Sequence, residues 1–354
     1  MASKGALRVV CIVGARPNFM KIAPLMRVFR ADSADFDAYL VHTGQHYDEA
    51  MKDAFFRQLN IPEPDIDLGV GSGTHAVQTA EIMRRFEPVL DDLAPDLVLV
   101  VGDVNSTIAC ALVATKKDIA VVHVEAGLRS GDRRMPEEIN RVLTDQISDL
   151  LFTTEPDGEI NLLREGVDPN RVHFVGNVMI DTLLANRVRA IPAAQTLGEI
   201  EGFPADKGDF GLLTLHRPSN VDSPAVLRRL LETLVEISER LPLVFPIHPR
   251  TRARVKDAGL DSLLARARIG LTEPLGYLQL LGIMEKSRLI LTDSGGLQEE
   301  STALGVPCIT LRENTERPIT VTAGTNTIVG TDPVKIRSCF DDVMASGGKA
   351  GRIP

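Results

Sequence analysis

Three carboxylates stand where an apolar run gives way to a polar turn. Asp103 ends "DLVLVVGD", Glu125 follows "VVHV", and Glu137 comes directly after Pro136 at the head of "PEEINRVLTDQISD". Each has a local explanation. Asp103 could cap a helix starting near Ser106, Arg129 could pair with Glu125, and an acid behind a proline suits a helix N-terminus. A carboxylate beside a buried strand is nevertheless expensive unless it is paired or used. Three acids converging on one site are also what proton transfer at an unactivated carbon needs.

Cations and a glycine pair complete the set. Arg16 and Lys21 flank the start of the first helical stretch, His216 and Arg217 close "FGLLTLHR", and His248 opens "HPRT". Solvation at a surface accounts for any one of them; an Arg at the turn beyond a first strand also suits phosphate groups. In "LTDSGGLQEESTALGVPCITL", Ser294, Gly295 and Gly296 begin a helix at some cost in backbone entropy. Either this is a tight turn capped by Asp293, or the helix start is kept bare for an anion. Unpaired N–H groups and the positive dipole end favour an anion there. Glu299 and Glu300 follow in the first turn, where a carboxylate favours the dipole or accepts hydrogen bonds from a ribose diol.

These residues need a scaffold, and the pattern supplies one. Short apolar runs alternate with amphipathic stretches along the chain. The candidate strands are "LRVVCIVGA", "FDAYLVHTG", "DLVLVVGD", "IAVVHVEAG", "LLFTTE", "VHFVGN", "FGLLTLH", "LVFPIHP", "RLILTDS" and "VPCITL". Such alternation predicts an α/β protein with doubly wound parallel sheets. His123 and His173 fall inside apolar strands and read as core. The segment "RAIPAAQTLGEIEGFPADKGDF" has loop composition, so the boundary is placed near residue 176, with domains 1–175 and 176–354. The polar clusters follow strand C-terminal ends, where open α/β sheets bind ligands. Two such domains facing each other would form a central cleft.

Composition narrows the choice. The chain has 354 residues, 44% hydrophobic and 25% charged, with a net charge of −9. The acidic balance disfavours a nucleic-acid partner. Cys11, Cys110, Cys308 and Cys339 are scattered, without metal-ligand spacing, and the first three sit in apolar runs. No metal and no cofactor is expected: the turn after the first strand lacks G-x-G-x-x-G, and neither a P-loop nor H-E-x-x-H occurs. With no apolar segment of membrane-spanning length, the reading is a cytoplasmic protein with no membrane partner.

The motifs "GARPNFMKIAPL", "TGQH", "GDVNST", "HVEAGLRSGDRRMPEEINR", "LTLHRPSN", "HPRT", "LTDSGGLQEESTALGVP" and "RENTERP" resemble, in this order, the non-hydrolysing UDP-N-acetylglucosamine 2-epimerases. The likeness runs from about residue 8 to 337. It implies two Rossmann-like domains of glycosyltransferase-B type, a UDP-sugar substrate and a homodimer. It also implies that Ser294, Gly295 and Gly296 hold the diphosphate, that Glu300 binds the ribose, and that Arg16 and His216 touch phosphate or sugar. Lys21, Arg217, His248 and Arg317 join the substrate-binding set. Asp103, Glu125 and Glu137 correspond to the acid/base carboxylates, with His216 beside them. Activation by a second substrate molecule, known in bacterial members, would involve Gln45 and His46 near "TGQH". The chain departs from the family pattern at "HRPSN" and "PNFMK". The resemblance further implies a final helix that returns to the first domain, and the expectation is that this helix would lie beyond "GGKAGRIP".

Overall fold

The computed structural model describes residues 5–44, 56–204, 208–265 and 267–352, with the Arg16 side chain outside the description. Gln45 and His46 also lie outside the described residues. The chain divides into two compact units, Met1–Thr182 and Leu183–Pro354. The division falls inside the helix Val178–Arg187.

The first unit is built on a seven-stranded sheet, every pairing parallel, in the order β3-β2-β1-β4-β5-β6-β7. Its strands are β1 (Leu7–Val13), β2 (Phe36–His42), β3 (Ile66–Asp67), β4 (Leu97–Val101), β5 (Ala120–Ala126), β6 (Leu150–Thr153) and β7 (Val172–Phe174). Runs such as "LVLVV" in β4 are apolar on both faces because helices cover both sides of a parallel sheet. One core under this sheet joins Val10, Ile12, Val98 and Val100 to Ile82, Phe86 and Leu90 of the helix His75–Leu93.

The second unit repeats the plan with six parallel strands in the order β10-β9-β8-β11-β12-β13. These are β8 (Gly211–Thr214), β9 (Leu243–Pro246), β10 (Ile269–Thr272), β11 (Leu289–Thr292), β12 (Cys308–Thr310) and β13 (Asn326–Ile328). Leu227, Leu230, Leu231 and Leu234 recur at helical spacing on Pro224–Arg240 and pack on Leu213, Phe245 and Leu291.

Both sheets reverse direction of winding once, between β1 and β4 and between β8 and β11. At such a switch point the flanking loops diverge and leave a crevice beyond the strand C-termini. The turns after β4, β8 and β11 carry Asp103, His216 and Ser294, and Arg16 opens the helix Arg16–Ala31 just past the turn after β1.

Two expectations need correction. The segment read as loop holds a helix, Ala193–Gly198, whose Ala193, Thr196 and Leu197 are buried. His173 is exposed on the short outer strand β7, its ring 5.8 Å from that of Phe152, and is not core. His123 is fully buried as expected. Among the described residues no helix is long and apolar enough to cross a membrane.

Candidate active site

Beyond β4 and β5 the first unit concentrates buried charge. Glu125 does not pair with Arg129. Its Oε1 lies 2.6 Å from Lys21 Nζ, and both side chains are almost wholly buried, at 1% and 5% exposure. The Lys21 ammonium is therefore committed to a carboxylate of its own unit. Gly102 makes room for it: a Cβ there would stand 2.7 Å from Nζ, and the backbone has φ +67°, which glycine adopts freely. Glu125 adopts φ +75° without being glycine, where the β5–β6 register shifts between Val124 and Ala126. A left-handed residue of this kind costs about 1–2 kcal/mol, so the surroundings must hold it.

Asp103 stands one residue before Val104, the N-cap of the next helix. The helix Asn105–Lys116 starts behind Val104, and Asp103 Oδ2 accepts from Arg141 Nη2 at 2.6 Å and Nε at 3.2 Å. Arg141 is 2% exposed and turns its Nη1 to Glu138 Oε2 at 2.6 Å. Glu138 accepts further bonds from Ser130 N, Ser130 Oγ and Gly131 N, each at 2.9 Å. Glu137, the candidate on sequence, is half-buried in the first turn of the helix Pro136–Ile147. Sequence reasoning missed Glu138, Arg141 and Asp145, all buried on that helix. Their i, i+3, i+7 spacing was the available signal, a polar stripe where an apolar one would normally face the core. Arg129 goes instead to Asp145 Oδ2 at 2.7 Å and Glu165 Oε2 at 2.6 Å.

In the second unit, Asp293 organises the turn after β8. Its carboxylate accepts from the backbone N–H of His216 and Arg217 and from Asn220 Nδ2, and His216 Nδ1 lies 2.8 Å away. It caps no helix: Ser294 precedes the helix Gly295–Leu304 with no side-chain cap bond. Nδ1 of His216 is thus fixed on Asp293, while the side chain keeps 38% exposure. His248 is exposed, with its ring 6.2 Å from that of His216, and its Nδ1 accepts from Arg250 N.

The bareness of Gly295 has a partner within the protein. A Cβ there would lie 2.7 Å from Glu316 Oε1. That buried carboxylate pairs with Arg312 Nη2 at 2.8 Å and stands 3.6 Å from Arg217 Nη2. Arg317 is buried against Glu299 Oε1 at 2.8 Å. Glu300 is buried too, accepting from Tyr277 OH at 3.1 Å. Burial, then the Glu300 charge, pushes the Tyr277 phenol far above its usual range. Ser294 and Gly296 are half-buried. Among the described residues no group of three or more His, Cys, Asp or Glu could hold a metal ion.

Two of these carboxylates set an acid limit. Burial alone would raise Asp293, but the charge and hydrogen bond of His216, with the N–H donors, hold it below its ordinary value. Burial likewise opposes ionisation of Glu316, yet Arg312 and Arg317, then Arg217, bring it far down. A depressed folded value means stability that is complete above the unfolded carboxylate range of about 4 and is lost as pH falls through it toward the folded value. Melting temperature by circular dichroism should fall between pH 6 and 3, and Asp293→Asn should flatten that slope. Parallel slopes would exclude Asp293 as a contributor.

The sequence profile described as UDP-N-acetylglucosamine 2-epimerase matches residues 29–352. A UDP-N-acetylglucosamine 2-epimerase of Methanocaldococcus jannaschii is 45% identical over 93% of this chain and 90% of its own length. A UDP-2,3-diacetamido-2,3-dideoxy-D-glucuronate 2-epimerase of Pseudomonas aeruginosa is 40% identical over 92% and 88%. Among solved structures, the Methanocaldococcus jannaschii UDP-GlcNAc 2-epimerase in complex with UDP-GlcNAc and UDP superposes with a TM-score of 0.87 at 44% identity, covering 96% of this chain and 93% of the other. With nearly the whole length matched in sequence and in fold, the chain belongs to the UDP-N-acetylglucosamine 2-epimerase family of isomerases.

Proposed function

We propose that the protein interconverts UDP-N-acetylglucosamine and UDP-N-acetylmannosamine by eliminating UDP and adding it back. The observation that carries this reading is the pair of ion-paired carboxylates, Asp103 on the turn after β4 and Glu125 at the C-terminal end of the adjacent strand β5. The relatives' names and the UDP-GlcNAc complex of the Methanocaldococcus jannaschii enzyme support the substrate.

The hydrogen at C2 of a 2-acetamido sugar is not acidic, because no ring carbonyl adjoins it. Breaking the C1–O bond to UDP builds positive charge at C1 and makes that hydrogen removable. One carboxylate takes the proton, the C1–C2 double bond of 2-acetamidoglucal forms, and UDP leaves with the electron pair. Protonation of C2 from the other face and return of the UDP oxygen to C1 complete the cycle. Ion pairing suits this chemistry, because Lys21 gives Glu125 a counter-charge where solvent is excluded, and Arg141 fixes the orientation of Asp103. Glu137 is the third acid of this reading. Ser294, Gly295 and Gly296 receive the diphosphate with Arg16, Arg217, His248 and Arg317, Glu300 takes the ribose, and His216 faces the departing phosphate.

The test is proton NMR of the reaction in deuterated water. UDP-N-acetylmannosamine with deuterium at C2 is expected, and label in the bridging C1 oxygen should scramble. Product without solvent deuterium would sink the elimination route, and free N-acetylmannosamine would make the enzyme hydrolytic. Faster turnover of UDP-2,3-diacetamido-2,3-dideoxy-D-glucuronate would transfer the substrate assignment to the sugar of the Pseudomonas relative.

A further inference from the structure

We propose that Asp145 and His123 are positioning residues that clamp the two acid-bearing turns of the first unit for proton transfer, an inference that rests on the epimerase reading. Neither side chain has any exposed surface. His123 Nε2 lies 2.8 Å from Gly102 O. A carbonyl only accepts, so Nε2 carries a hydrogen. Nδ1 faces Asp145 Oδ1 at 2.6 Å, so the imidazole and the carboxylate share a proton there. The other oxygen, Oδ2, accepts from Gly127 N at 3.1 Å and pairs with Arg129 Nη1 at 2.7 Å. Arg129 is itself held by Glu165 through Nε at 2.8 Å and Nη2 at 2.6 Å.

The connectivity gives the dyad its purpose. Gly102 immediately precedes Asp103. His123 and Gly127 lie two residues on either side of Glu125, whose backbone is left-handed. A single carboxylate thus pins both flanks of Glu125 and, through the imidazole, the carbonyl just before Asp103. The Gly102 N–H donates to Val124 O at 3.1 Å, closing the link between the turns. A buried pair that only stabilised the sheet would have no reason to end on these two turns. Neither residue is one of the groups assigned to proton transfer. They act through Glu125 and Asp103.

Asp145→Asn in the full chain keeps the shape, removes the charge facing Arg129, and sets an amide against donors. Misplacing a reacting group by about 1 Å costs on the order of 10²-fold. We therefore expect kcat to fall about 10²-fold, with KM and calorimetric UDP affinity within about twofold of wild type. Hydrogen–deuterium exchange should quicken at residues 102–104 and 123–128 and stay unchanged in β1 and β2. His123→Gln keeps an amide near Gly102 O but loses Asp145; it should loosen 102–104 alone and serves if the first variant fails to fold. Unchanged kcat, or exchange rising over the whole unit, would reduce the dyad to core support and overturn the proposal. If the wild-type protein shows no epimerase activity, the functional reading fails by itself. The exchange pattern then still decides: local loosening at both turns upholds the clamp, and no change or a global change overturns it.

Discussion

Glu125→Gln is expected to cut turnover by about 10²- to 10⁴-fold, the usual worth of a general acid or base, while calorimetric UDP affinity stays near wild type. It should also destabilise the protein. The glutamine oxygen can still accept from Lys21, but the ammonium is then buried without a counter-charge. Losing one partner of a buried pair costs about 3–5 kcal/mol, and the remaining hydrogen bond places this case at the lower end. Lys21→Met added to Glu125→Gln removes the stranded charge and should recover most of the lost stability in denaturant titrations. It should recover none of the activity. Rescue of both would mean that Glu125 has a structural role only. Rescue of neither would mean that Lys21 is not its main partner.

Arg141→Met should be comparably severe for a different reason. Its guanidinium serves two carboxylates, Asp103 at 2.6 Å and Glu138 at 2.6 Å, in a nearly closed setting. Without it, Glu138 retains the Ser130 and Gly131 donors, whereas Asp103 loses the fork that orients it. A cost of about 3–5 kcal/mol corresponds to a fall in melting temperature of roughly 10 °C for a unit of this size. Turnover should fall about 10²-fold in the folded fraction. Arg141→Lys retains charge but not the fork, so it should recover stability better than rate. A rate unaffected by either change would detach Asp103 from the chemistry.

The sheets are legible in the sequence wherever strands are apolar on both faces. Ten runs read as strands, and β1, β2, β4 to β9, β11 and β12 each fall within one of them. β3 has two residues, β10 contains Gly270, and β13 is the polar "NTI", so none of the three carries a periodic signal. Asp103 and Glu125 stand out because charge at the mouth of an apolar strand is improbable without a reason. Their partners are less accessible. Lys21 lies 104 residues from Glu125, and only the fold brings them together. Arg129 is a near cation to Glu125 in sequence, but Asp145 and Glu165 take it. Gly295 reads as space for an external anion, and a carboxylate from the same unit stands against it. No local pattern distinguishes those two neighbours.

The left-handed backbone at Glu125 sets the interests of folding against those of chemistry at one position. With Lys21 neutralised, glycine or asparagine there would relax the turn, and variants selected for heat resistance alone should converge on such pairs. Homologues drifting under relaxed selection for turnover should do the same. On the proposed acid/base reading, retention of a left-handed glutamate there marks selection for turnover. If Glu125 moves the proton as proposed, a thermostability campaign on this enzyme should hold positions 21 and 125 fixed, because substitutions that relax the turn there are expected to erase the activity.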